Sequence, residues 1–526
     1  MHLYNRTFLC IVLCAAAVAA QAQSWQFVGS RAMGMGGAGV ATAYGPDAQY
    51  WNPAGLAQDE DLNETGLLFN VGADLQATKN VLEGVRNLTE MADQYKALSK
   101  KIDGSDAAIA NAENISTLFK GLNDISKLIG ANSGALVNAN GGAGLKIKNF
   151  AVTARALGTG AIRPVIDTDN IKFKVGATGL TLGATTAPAV AANVSSATKL
   201  KNAIDSYGLF TALNSLLGGT YANSTDLANA IINAMDSYAV STDVIANTVD
   251  TVISNLGGAS EILDKYATAS GSYEQNETLA MAEAATFGEV SLGYGQRVIR
   301  GLKLGANLKV INGYTAQSGV MILKDDQDIG DILNKAYDNK KESTNFAVDA
   351  GALLNFSELF DKEIFLRPQI GLTAKNINGP KFDRPDVPAE FVGTPLDTNW
   401  TRDKYQLKPQ LRAGAAINPV KNITLAADLD ITENDTMIAN IKSRQLGVGM
   451  EINLFNRPKF HIPLRVGYNT NLAESNVSDF YTAGIGLNML HFYLELAAAV
   501  SSDTNKVEDY TIPNSAAVSL SLGFLF

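Results

Sequence analysis

Cysteine is nearly absent. The 526-residue chain has two, Cys10 and Cys14, both in its apolar N-terminal stretch. That excludes a disulfide scaffold and a cysteine-based zinc site in the rest of the chain. Histidine is as scarce, with three residues. Charge is thin: 18% of residues are charged, against about a quarter in an ordinary soluble domain. Acidic residues outnumber basic ones by 52 to 42. That sign excludes a nucleic-acid partner, since such binding rests on Lys and Arg at phosphates. Beyond the N-terminus no stretch has the roughly 18 consecutive apolar residues of a membrane-spanning helix. Yet 46% of the chain is hydrophobic, which excludes disorder.

Residues 1–22 read as a secretory signal. A short basic start (His2, Arg6) precedes an apolar core from Phe8 to Ala20, and Ala20-Gln21-Ala22 gives the small-x-small cleavage pattern. The mature chain then has no cysteine. An exported chain without spanning helices is periplasmic, secreted, or an outer-membrane barrel.

From Phe287 onward, segments of about ten residues alternate apolar with polar or small ones, with turn residues between them. Successive side chains on a strand point to opposite faces. Leu302, Leu304, Ala306, Leu308 and Val310 therefore share one face, and Lys303, Gly305, Asn307 and Lys309 the other. Tyr405–Ile417 alternates in the same way, as do Phe346–Phe356, Leu366–Ala374, Ile423–Ile431, Leu446–Leu454, Ile462–Tyr468, Tyr481–Met489 and Phe492–Val500. The polar face carries Glu289, Arg297, Lys303, Lys309, Asp349, Arg367, Lys375, Lys408, Arg412, Asp428, Asp430, Glu451, Arg465 and Glu495, interleaved with glycines.

A soluble sandwich also alternates. Three features favour a barrel in lipid. Connections alternate between short (Arg300-Gly301, Asn418–Asn422, Asn456–Lys459, Leu490-His491) and long (Ala316–Glu342, Asn378–Asp403, Thr432–Asn440, Ser501–Asn514). Aromatic residues (Tyr294, Tyr314, Tyr405, Phe455, Tyr468, Tyr481, Phe492) stand near strand ends, as interfacial girdles require. The last strand sets Val518, Leu520, Leu522, Phe524 and Phe526 outward, and Phe524 and Phe526 resemble the signal read by the outer-membrane assembly machinery. With Gly66–Thr78, Ala135–Lys148 and Phe150–Gly160 the count reaches about fourteen, an even number. The expected fold is all-β: a transmembrane antiparallel barrel over residues 64–526, in the outer membrane of a Gram-negative bacterium, with the long connections outside the cell. Its first partners are outer-membrane lipids and the assembly machinery.

Residues 30–39 contain a literal G-x-G-x-x-G. A dinucleotide site needs a preceding strand and an acidic residue about twenty positions on, within a strand–helix–strand unit. Here a signal cleavage site precedes it, so no nucleotide is expected. Glycine permits close backbone packing. A glycine-rich, sparsely charged segment over residues 23–63 is better read as a plug inside the barrel.

Arg31-Ala32-Met33-Gly34-Met35-Gly36-Gly37-Ala38, followed by Tyr50-Trp51-Asn52-Pro53-Ala54-Gly55-Leu56, resembles the opening of the FadL-like outer-membrane proteins. The resemblance implies an N-terminal hatch containing Gly34, Gly36, Gly37, Gly39, Asn52, Pro53 and Ala54. Residues 407–414, 427–434 and 464–468 resemble the branch of that superfamily labelled conjugal transfer protein TraF. They do not resemble the thioredoxin-like protein of the same name, because the mature chain lacks C-x-x-C. The likeness covers the N-terminal segment and most of the chain after Phe287.

Two helical insertions are expected at extracellular connections. One spans about 80–133, as a hairpin broken at Gly104-Ser105. The other spans about 162–285, with helices near Ala197–Leu217, Ser224–Ser237, Ser241–Leu256 and Glu261–Thr268. They either cap the barrel mouth or form a binding surface for an extracellular or conjugation partner.

Chemistry is sparse. Nothing local supports a Ser/His site around His461 or His491. Asp428-x-Asp430-x-Thr432-x-Asn434 lacks the glycine of a calcium loop. Residues 325–328 are most simply a solvated acidic face. No catalytic residue, metal or cofactor is expected. The first functional expectation is passage of a small, even hydrophobic, compound past the hatch, with a lateral opening at a kink near Gly158 and Gly160. The other is a non-transporting surface barrel that binds a partner through its helices.

Overall fold

The structure is a computed structural model. It describes residues 25–58, 65–78, 134–171, 185–217, 219–237, 240–257, 259–271, 275–321, 336–438, 441–457, 460–507 and 510–525. The signal peptide, the first helical insertion, residues 325–328 and Phe526 lie outside the described residues.

Fourteen antiparallel strands form one closed barrel. In chain order they are β1 (Thr65–Ala77), β2 (Ala135–Ile147), β3 (Phe150–Val165), β4 (Leu279–Ile299), β5 (Leu302–Met321), β6 (Lys341–Asn355), β7 (Gln369–Lys375), β8 (Gln410–Val420), β9 (Ile423–Asp430), β10 (Gln445–Arg457), β11 (Phe460–Asn471), β12 (Phe480–Met489), β13 (Phe492–Ser501) and β14 (Ser515–Leu525). Each pairs with its chain neighbours, and β14 returns to β1 in register from Gly66↔Leu525 to Gln76↔Ser515. Closure leaves no strand edge, which a span in lipid requires.

Alternation does the sorting. The outward positions carry exposed apolar side chains all round the barrel, among them Val71, Leu145, Val152, Leu292, Leu308, Ile370, Val466, Ile485, Leu496 and Leu520. Their partners on the pleat are buried and polar. Aromatic pairs mark the two ends of the apolar band. Phe150 meets Tyr294 (4.6 Å between ring centroids) and Phe492 meets Phe524 (5.9 Å) at the short-turn end, and Tyr468 meets Tyr481 (5.3 Å) at the other.

Some boundaries differ from expectation. β4 and β5 run 21 and 20 residues, well above the apolar band. Tyr405 and Leu407 do not face lipid. Pro409 has no N–H to give the ladder, so β8 begins at Gln410 and Tyr405–Gln406 pairs with Lys381–Phe382 in a small separate hairpin. Both side chains turn inward and are buried. Leu366 and Arg367 have positive φ and belong to the turn before Pro368, not to β7. β3 pairs with β2 and β4 without a register shift through Gly158 and Gly160, so no bulge interrupts the ladder there.

The second insertion is narrower than expected, because Ile162–Val165 and Leu279–Ala285 are strand. Its helices are Val194–Ser206, Phe210–Leu216, Ser224–Ser237, Thr242–Leu256 and Ser260–Thr268. The expected helix Ala197–Leu217 breaks in two around Gly208. Their apolar faces share one core, including Leu200, Ile204, Leu213, Leu227, Val249 and Leu263, to which no residue of the barrel band contributes. A knot joins this unit to β3 and β4. The Asp167 carboxylate accepts from the backbone N–H groups of Asp169, Asn170 and Glu277, and Asn276 Nδ2 donates to the Asp167 and Asn170 carbonyls.

An arginine at lipid-facing Leu308 should cost about 2–4 kcal/mol, the charge penalty near the bilayer midplane. Urea unfolding in lipid vesicles, read by heat-modifiable gel mobility, checks this; Leu308→Ala, which keeps the band apolar, should cost less.

Candidate functional site

The lumen is filled. Residues 25–58 lie inside the barrel and are buried along nearly their whole length. The Ser30–Gly34 helical turn packs on β11–β14, and the Pro53–Ala57 3-10 turn packs on β4–β6.

Charge holds the first turn. Glu451 on β10 accepts from Arg31 Nε (3.0 Å) and from Arg465 Nε on β11 (2.6 Å). Arg465 reaches Glu495 on β13 (2.5 Å). The chain Arg31–Glu451–Arg465–Glu495 thus ties the inner segment to three strands. Asp428 on β9 accepts from the backbone N–H groups of Gly39 and Val40, both at 2.8 Å. Asp430, beside it, pairs with Arg412 on β8 (2.6 Å). These contacts account for the acidic pair that mimics a calcium loop.

Close approach holds the middle. Gly36 has φ 67°, and a methyl group there would overlap the Tyr468 and Val448 carbonyls. Opposite it the wall is also glycine: Gly447, Gly449 and Gly467 face the Met35–Gly36 backbone. Gly34 packs on Arg465, Gly37 on Phe27 and Gly39 on Trp51. A second such contact lies at Asn52. Its Oδ1 accepts from Ala54 N (3.1 Å), capping the Pro53–Ala57 turn. Its Nδ2 is within hydrogen-bonding distance of the Val40 and Ala352 carbonyls, 3.0 Å each. Pro53 and Ala54 then lie against Gly305, and Asn52 against Gly351.

Aromatic residues supply the rest. Trp25 stacks on Trp51 (5.8 Å), and Tyr50 meets both edge-on. Lys375 Nζ lies 3.6 Å from the Trp25 ring centre and 3.0 Å from that of Tyr50; Arg412 lies over Trp25 at 4.5 Å and Arg155 over Tyr50 at 5.3 Å. Cations over ring faces are worth about 2 kcal/mol or more where water is excluded. The cation Lys309 bridges Asp349 (3.0 Å) and Glu289 (3.8 Å). Lys303 pairs with Glu358 (3.0 Å).

Eleven of the fourteen expected lumen charges are buried inside; Arg297, Arg367 and Lys408 are not. Arg297 is exposed at the short-turn end of β4, where the ladder slips between Arg297 and Ile299. Arg367 pairs with Glu363 in the turn before β7. Lys408 is in the long connection before β8 and, with Lys442, faces Asp435. Partial burial opposes ionisation of Asp435, but the two ammonium groups outweigh it and hold its carboxyl below the usual range. Phe524 faces outward on β14. His461 meets Asn488 at the short-turn end (2.5 Å).

Alternation alone did not single out the aromatic cluster, Arg155 and Asp47, or the apolar stopper above them. In that stopper Phe287, Phe382, Tyr405, Leu407 and Ile438 pack together under the long connections. Arg384 latches one of these connections to Glu283 on β4 (2.8 Å). The adjacent Tyr50-Trp51 before Asn52-Pro53 is the signal that bears on the cluster.

A closed antiparallel barrel with an apolar outer band and a polar, filled interior defines an outer-membrane β-barrel. The chain belongs to the family described as "F plasmid transfer operon, TraF, protein", whose model matches residues 49–430. No curated protein matches the chain. Among solved structures, the toluene transporter TbuX of Ralstonia pickettii is similar at 10% identity and TM-score 0.40, covering 95% of this chain and 98% of that one. The P. putida toluene transporter TodX is similar at 8% and 0.40 (96% and 99%), and a Pseudomonas aeruginosa FadL homologue at 10% and 0.38 (97% and 99%).

Glu451→Ala takes the shared carboxylate from Arg31 and leaves Arg465 with Glu495 alone, a loss of about 3–5 kcal/mol. Changing all four members, Arg31, Glu451, Arg465 and Glu495, to Met should cost less, because no charge of the chain is then left buried without a partner, and urea midpoints of the two variants compare them.

Proposed function

We propose that the protein is a hatch-bearing passage for a small compound across the outer membrane. One observation carries the reading. The lumen is occupied through its height by residues 25–58 and by the inward-turned connections above them, while the wall around it stays closed. The filler is a separate segment and not the wall itself, which is what passage past a hatch needs. The inner segment joins the wall through hydrogen bonds, ion pairs and ring contacts, with no covalent link other than the chain itself. The hatch residues are then Gly34, Gly36, Gly37, Gly39, Asn52, Pro53 and Ala54. Passage runs along the lumen; the continuous pairing of β3 through Gly158 and Gly160 supports that route over a lateral one.

The test is conductance in planar bilayers and solute uptake into liposomes, with and without deletion of Gly34–Gly39. The intact protein should conduct little and take up a small solute. The deletion should raise conductance. If neither form conducts or takes up anything, the reading fails.

A second reading rests on the helical unit. It has its own core and a hydrogen-bonded neck, as expected of a module presented to a partner. In this reading the barrel anchors a contact surface for conjugal transfer. Deleting residues 185–271 should then leave heat-modifiable mobility intact and lower the transfer frequency of a plasmid-bearing donor at least about tenfold, by loss of a specific contact. Unchanged transfer would sink it.

A further inference from the structure

The lumen wall is chemically divided. Between β5 and β13 its inward charges pair with one another or with the inner segment. From β14 through β1 and β2 to β3 the character changes. At mid-height the inward side chains there are chiefly neutral: Ser519, Ser521, Asn70, Asn138, Asn140 and Thr159, all at least nine-tenths buried. Arg155 on β3 is the cation among them, and it pairs with Asp47 of the inner segment (3.5 Å). Register makes them one strip: Ser521 is opposite Asn70, Ser519 and Asn140 flank Gly72 on either side, and Asn138 is opposite Thr159. The strip's carboxylate, Asp74, accepts from the amides of Asn138 (2.9 Å) and Gln76 (2.7 Å).

Residues 26–30 of the inner segment meet this strip with neutral bonds, while Asp47 adds charged ones, accepting from Asn70 Nδ2 (2.6 Å) and from Arg155 (3.5 Å). Gln26 Nε2 donates to the Gly158 carbonyl (3.0 Å), Asn140 Nδ2 to the Phe27 carbonyl (3.4 Å), and Ser30 N to Ser521 Oγ (2.9 Å). Three amide oxygens at the seam, those of Gln26, Asn70 and Asn140, accept no hydrogen bond from the described residues. A buried acceptor without a donor is costly, so these three oxygens are open to a donor from water or from a solute. Small cavities mark both ends of the seam along β1. One of about 20 Å³ touches Gln76 and Leu136 below Ile438, and one of about 50 Å³ touches Leu68, Asp47 and Tyr493. Asp74, Gly72 and Asn70 lie between them on the inward face of β1.

We infer that this seam between Gln26–Ser30 and the β14–β1–β2–β3 wall is the route past the hatch, and that it takes small uncharged solutes bearing hydroxyl or amide groups. The inference rests on the passage reading above. An apolar solute would leave the serine and asparagine groups unpaired, and an ion would meet only Asp74 and Arg155, of opposite sign and each already held by protein groups, with no ring of one charge. A hydroxyl-bearing solute supplies the donors that the three amide oxygens lack. Motion of the Gln26–Ser30 edge breaks neutral hydrogen bonds, whereas motion on the opposite side breaks buried ion pairs.

The test is osmotic swelling of proteoliposomes in arabinose and in sodium glutamate. The full mature protein should swell in arabinose at least about fivefold faster than empty liposomes, and in glutamate no faster, as a neutral polar lining selects. Asn140→Leu and Ser519→Leu should each remove the arabinose response. Asn140→Ser, which replaces the amide with a smaller hydrogen-bonding hydroxyl, should retain it. Heat-modifiable mobility verifies that each variant folds. Unchanged swelling in both leucine variants overturns the route while passage stands. Faster swelling in glutamate than in arabinose overturns the solute class. Swelling only after deletion of residues 25–58 overturns the route, because the inner segment is one side of it. If neither the full protein nor that deletion swells in either solute, passage itself fails and the route with it.

Discussion

A bilayer core offers backbone groups no water, and this protein is organised around that lack. Every strand must give its N–H and C=O groups to neighbours, and the first strand must find the last. The β1–β14 ladder meets that demand. Once it does, side-chain polarity is inverted relative to a soluble sandwich. Apolar residues face out into lipid, and the polar residues of each pleat are forced into a narrow interior. A lumen with that much charge and no wide water channel has to be neutralised from within. Arg31, Asp47 and the backbone N–H groups of Gly39 and Val40 do so, using a segment that belongs to no strand.

The two sides of the inner segment are held by different physics. Toward β9–β13 the contacts are charged or need glycine on both surfaces, so they tolerate little displacement. Toward β14, β1 and β2 residues 26–30 make single neutral hydrogen bonds, and only Asp47, on Asn70, brings charge to that side. The segment is therefore hinged by chemistry. Above it, the apolar stopper is built in part from the long connections, with Arg384 on Glu283 as its fastening.

Most of the barrel was legible because alternation is a local signal. Leu302 to Val310 declares its two faces within nine positions of the chain. The upper half of β4 was not legible. Its outward residues there are Ala280, Ala282, Ala284 and Thr286, which contrast too weakly with the inward ones to mark a strand. Tyr405 and Leu407 kept the alternation of β8 but lost its ladder, because one proline redirected the chain. The helices of the second insertion were legible from their spacing, apart from the break at Gly208. The aromatic cluster under Lys375 and Arg412 could not be read from spacing, since its three rings lie more than 300 positions from those two basic residues. Asn52 was found by resemblance, and its structural task, capping one turn while bonding to β6, appears only in three dimensions.

The ion pair between Arg31 and Glu451 joins residues 420 positions apart. The first part of the chain to be exported thus has its strongest partners on strands made last. Such contacts form late, since a long loop must close before they gain anything. During biogenesis the inner segment therefore waits, unsatisfied, until β10–β13 exist. It is enclosed only when β14 meets β1. Filling the lumen and sealing the wall become a single terminal event, and the order of synthesis decides which half of the molecule needs protection on the way.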